Sequence, residues 1–138
     1  MPYAVELFFD LELDQSVRGL WDAFARETGR PNGMADTGNR PHISLAAFQD
    51  CELRTTISGL GGLCAGAGAV PVDLNSIGTF FSDEGVLFLP PVPTSQLIQL
   101  HLDCQSLLRP LVQGMWPYYL PGQLAFHCTL ATGVPPAA

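Results

Sequence analysis

The sequence predicts a mixed domain of helices and strands, α/β or α+β, and three observations carry the prediction. Short stretches alternate apolar and polar residues at the period of a strand, longer ones repeat apolar residues at the period of a helix, and the two kinds are interleaved along 138 residues. Hydrophobic residues make up 47% of the chain and charged residues 14%, the balance of an ordered globular protein. The length is that of one domain, 1–138, able to bury roughly two-thirds of its unfolded surface.

The elements follow in order. Tyr3 to Asp10 reads as a strand with Val5, Leu7 and Phe9 on one face. Asp14 is an N-cap candidate for a helix whose apolar face is Val17, Leu20, Trp21 and Phe24, and Gly29 is its stop. Gly29 to Pro41 has the composition of a loop, and His42 to Phe48 that of a second strand. Asp50 is expected to cap a weaker helix reaching about Leu60, ended by the glycine-rich stretch Gly59 to Gly68. Val70 to Phe80 and Val86 to Leu89 read as strands of a hairpin turning at Phe81 to Gly85. Thr94 or Ser95 caps a third helix with Leu97, His101, Cys104, Leu108 and Leu111 on one face. Leu124 to Ala131 is the last strand.

The charge balance removes one class of function. Net charge is −7, with no lysine and six arginines: Arg18, Arg26, Arg30, Arg40, Arg54 and Arg109. A protein that follows a long nucleic-acid backbone needs a basic stripe, which this chain lacks. A pocket for one phosphate of a small nucleotide or an RNA end remains compatible with it, and Arg40 is the cation nearest the first motif below. No apolar run is long enough to span a bilayer, and the first residues carry no basic segment or cleavage site, so a cytoplasmic protein is expected. Cys51, Cys64, Cys104 and Cys128 form no C-x-x-C pair and read as reduced, mostly buried thiols.

Two tetrapeptides carry the chemistry: His42-Ile43-Ser44-Leu45 and His127-Cys128-Thr129-Leu130. In a strand, residues two apart share a face. Each tetrapeptide can present an imidazole and a hydroxyl together, with Ile43 or Cys128 and the leucine turned to the core. Other short motifs fail on context. Asp36-Thr37-Gly38 lies in a loop without a hydrophobic strand before it, and the glycines from Gly59 do not complete G-x-G-x-x-G because Cys64 stands at the last position. His101 sits on the apolar side of its helix and reads as a core histidine; Tyr118 and Tyr119 are candidates for turn packing or for stacking on a base.

The twin motif resembles the H-x-[ST]-x signature of the 2H phosphoesterase superfamily, which includes the 2′-5′ RNA ligases and cyclic nucleotide phosphodiesterases. Arg40-Pro41 before the first motif, the stretch Ser76 to Phe81 with Val86 to Leu89, and Tyr119-Leu120-Pro121-Gly122 before the second also resemble that family. Phe126 stands where the family often has proline, and Leu124 where an aromatic is common. Family members usually continue with further elements past the second motif. The resemblance implies a bilobal fold with two antiparallel-rich sheet halves about a central cleft, helices outside and some C-terminal elements missing. It implies that His42 and His127 are the general acid and base, that Ser44 and Thr129 hold the phosphate, and that neither metal nor cofactor is needed. The implied substrate is a small nucleotide or RNA end with a 2′,3′-cyclic phosphate or a 2′,5′ linkage. The alternative is a non-catalytic nucleotide or RNA-end binding protein of the same fold.

Overall fold

Asp10 separates the first strand from the first helix. Its backbone is extended, and its carboxylate accepts the Leu13 N–H at 2.9 Å, so the helix starts at Leu11. The computed structural model describes residues 2–29, 34 and 38–135. Asp36 and Thr37, and the last three residues of the tail, lie outside them. The described elements are β1 (Tyr3–Phe8), α1 (Leu11–Thr28), β2 (His42–Phe48), β3 (Asp50–Cys51), α2 (Leu53–Ala67), β4 (Gly78–Thr79), β5 (Leu87–Leu89), α3 (Ser95–Leu108), β6 (Val112–Gln113), a 3₁₀ turn (Pro117–Tyr119) and β7 (Cys128–Ala131). Among the described residues, three helices with antiparallel pairings make the class α+β.

Several expectations are corrected. Asp14 is not the N-cap of α1; it lies within the first turn, buried, and meets two arginines. Asp50 does not cap α2: Glu52 does, accepting from Thr55 N–H, while Asp50 bonds the neighbouring Cys51 N–H and pairs in β3. The glycines do not end α2 early. The helix runs to Ala67 and stops at Gly68, whose φ is +65°. Gly59 has a packing reason, since a Cβ there would come within 3.2 Å of the Leu107 side chain on α3. Val70 to Phe80 is mostly irregular, with a lone bridge from Leu74 to Pro91 and pairing only at Gly78–Thr79. Leu20 is exposed, and β7 starts at Cys128, leaving His127 just before it.

The chain divides into two compact units, with the boundary inside β1 and β2. The first comprises Met1–Glu6, Ser44–Asp73 and Val92–Phe126. Here α2 packs on α3, β3 pairs antiparallel with β6, and Leu45, Phe48, Leu97, Cys104 and Leu108 form the core. His101 is buried in it and donates from Nε2 to the Tyr119 carbonyl at 2.7 Å, the core role expected of it. Buried Gln105 donates to the carbonyls of Leu45 and Tyr119, so its amide is satisfied.

The second unit comprises Leu7–Ile43, Leu74–Pro91 and His127–Ala138. Its sheet has the order β4-β5-β7, antiparallel throughout, and α1 packs on β7. Trp21, Val17, Pro41, Ile43, Cys128 and Leu130 are among its most deeply buried side chains. Trp21 is almost fully buried, yet its indole N–H is satisfied by the Thr129 carbonyl at 3.1 Å, which ties the helix to the motif-bearing strand.

Candidate active site

Both motif histidines fall in the second unit, and each is held differently. His42 opens β2. Its Nδ1 lies 2.6 Å from the Arg40 carbonyl oxygen. A carbonyl only accepts, so Nδ1 carries the proton. Pro41, buried between Arg40 and His42, fixes the chain that makes this contact.

His127 is held by aromatic rings. Its imidazole stands edge-on to Phe80, with centroids 5.2 Å apart and an interplanar angle of 89°, and meets Phe88 at 5.8 Å and 66°. Phe80 and Phe88 stack on each other at 4.4 Å. The platform depends on Gly78: a Cβ there would come within 2.7 Å of the Phe88 ring. Strand register puts Phe88 opposite Thr129 and Leu89 opposite Cys128.

The two motif segments touch. The main-chain N–H of His42 donates to the Cys128 thiol, one residue beyond His127. Burial pushes that thiol up to about 11, and the bond from His42 only partly offsets the effect. At neutral pH Cys128 is therefore a protonated, packed thiol and not a nucleophile.

The hydroxyl residues are both half-buried. Thr129 lies on β7, its carbonyl taken by Trp21. Ser44 lies two residues along β2 from His42, on the same face of the strand, and is grouped with the first unit. There its hydroxyl donates to the Tyr119 phenol. Burial pushes the Tyr119 phenol up, the Ser44 bond opposes this, and the charge of Glu6 adds to it. Tyr118, beside it on the 3₁₀ turn, is exposed. His42, His127 and Thr129 thus fall in one unit and Ser44 in the other.

Three supports escaped the sequence reading. The Phe80–Phe88 platform was hidden inside an ordinary hairpin pattern. The Ser44–Tyr119 bond joins residues 75 positions apart, with no local signal. Asp14 had a signal, because Asp14 and Arg18 are four apart on a helix and pair at 2.6 Å.

The family model described as the 2′-5′ RNA ligase superfamily matches residues 11–138, nearly the whole chain. The chain belongs to the 2′-5′ RNA ligase superfamily. No curated protein matches it. Membership agrees with the twin motif and with the α+β class, and it places the chain among enzymes of the 2H phosphoesterase type. Among the described residues, no helix of this superfamily member is long and apolar enough to cross a membrane.

Proposed function

We propose that this superfamily member is a phosphoesterase that opens 2′,3′-cyclic phosphates, or cleaves 2′,5′-phosphodiesters, of small nucleotides or RNA ends. The observation that supports the reading is the bond from the His42 main chain to Cys128, the residue after His127, both in one unit.

On this reading, one imidazole takes a proton from water as the water oxygen bonds to phosphorus. The other gives its proton to the ribose oxygen as the old P–O bond breaks. Each ring ends in the state the other began in, and the roles exchange with the direction of reaction. At His42 the exchanging nitrogen is Nε2, because Nδ1–H stays on the Arg40 carbonyl. Ser44 and Thr129 donate to the non-bridging oxygens, where charge builds up. Ser44 must turn from Tyr119 to do so, which makes Tyr119 the resting partner of that hydroxyl. The two imidazoles supply both proton transfers, so a metal has no required part. The net charge of −7 favours a small substrate over long RNA, and the cytoplasm is the compartment proposed.

The test is incubation of the purified protein with nucleoside 2′,3′-cyclic phosphates and with a 2′,5′-linked dinucleotide in excess chelator, repeated with His42→Ala and His127→Ala. Metal-independent turnover lost in both variants is expected. Turnover that requires added metal, or that survives both substitutions, would refute the reading. Nucleotide binding without any product would replace it with a binding protein of the same fold.

A further inference from the structure

We infer that Asp14 is a positioning residue for His42, acting through Arg40. The inference rests on reading His42 as a proton-transfer group. Asp14 is a carboxylate with 10% of its side chain exposed, in the first turn of α1. A charge so placed is costly unless cations face it. Two do: Arg18 Nε at 2.6 Å from Oδ1, and Arg40 Nε at 3.4 Å from Oδ2. Oδ2 is buried and accepts no hydrogen bond, so among the described residues Arg40 is the cation that faces it. The Arg40 guanidinium also lies over the Phe8 ring, 4.3 Å from its centroid. This second contact limits where the side chain can go.

Arg40 is thus tied at both ends. Its side chain is fixed by Asp14 and Phe8, and its carbonyl oxygen receives Nδ1–H of His42. Arg40 stands outside any strand, so no ladder of hydrogen bonds holds its carbonyl in place. The side-chain tether does that work. Without it the carbonyl turns away, the Nδ1 proton loses its acceptor, and the neutral ring distributes between tautomers. Nε2 then carries the proton in part of the population, where it cannot act as a base.

The experiment is side-chain ¹⁵N NMR of the full chain under conditions where its histidines are neutral, on the wild type, Asp14→Ala, Arg40→Ala and the double variant. The wild type should show His42 with its proton on Nδ1. Both single variants should show mixed tautomers at His42, and the double variant should be no worse than either. His101 is the internal control: it donates from Nε2 in the other unit and should keep its tautomer in all four proteins. Arg40 is half exposed, so Arg40→Ala carries the test if Asp14→Ala does not fold. On any cyclic phosphate the wild type opens, kcat should fall about tenfold with KM within about twofold, the mark of a misplaced group. An unchanged His42 tautomer in both single variants, or effects of Asp14→Ala and Arg40→Ala that add, would overturn the inference. The tautomer is read without turnover, so this result is independent of whether the protein is a phosphoesterase.

Discussion

The two motifs share a sequence pattern but not a means of support. At the first, a main-chain carbonyl holds the imidazole by a 2.6 Å hydrogen bond, behind a buried proline. At the second, two phenylalanines hold it by ring edges and faces. The first contact puts a proton on Nδ1 of His42; the second sets the His127 ring edge-on to Phe80. On the proposed function, a signature of four residues names the reacting groups, while distant residues specify how each is held. The comparison predicts that perturbing the aromatic side acts on folding and on His127, whereas perturbing the polar side acts on the tautomer of His42.

The largest effect on this view belongs to Phe88→Ala. Phe88 is buried and touches Phe80 and His127, so its loss should cost about 3–5 kcal/mol, read as a lower urea midpoint. A cost near zero would mean that the platform is not part of the core.

Next comes an alkaline loss of stability. Burial pushes both Cys104 and Cys128 up to about 11 from an ordinary value of 9.0, with the charge of Cys64 adding to the shift at Cys104. Between those values the unfolded chain has lost the protons that the folded chain retains. Stability is then full below about pH 9 and falls as pH rises toward 11, by about 2–3 kcal/mol for each thiol. Denaturant unfolding at several pH values should show the fall in the wild type and a shallower one in Cys104→Ala with Cys128→Ala.

Smaller and more specific is the difference between the hydroxyls. Ser44→Ala and Thr129→Ala should each lower kcat, by about 10–100-fold, through loss of a donor to the phosphate. Ser44→Ala should also free the Tyr119 phenol from its donor and raise its titration further, seen by ultraviolet absorbance, which Thr129→Ala should not do. The smallest effect is Trp21→Phe, which leaves the Thr129 carbonyl without its indole donor and should cost about 1 kcal/mol.

The parts legible in the sequence were those set by local rules. β2 and α3 matched because alternation, the Thr94 cap and the buried face of Leu97, His101, Cys104 and Leu108 all lie within one element. The class came from the interleaving of strand and helix periods, which is local as well, and the candidate residues from the twin motif. Misreadings arose where a distant partner decides. Asp14 looked like a cap because Arg40, 26 positions on, cannot be seen as its partner from a helical pattern. The glycines of α2 looked like a stop because the cost of glycine in a helix is local, while the close approach of Leu107 to Gly59 is not. Val70 to Phe80 has strand composition, but β5 offers ladder partners only to Gly78 and Thr79.

The central claim is that His42 and His127 bind one anion between them. The direct measurement is titration of the full chain with a nucleoside 2′-monophosphate, following the side-chain ¹⁵N signals of both histidines. The account predicts that the two signals move together, with one dissociation constant and one ligand per chain, while His101 stays still. Movement of one histidine alone, or two different dissociation constants, would contradict it.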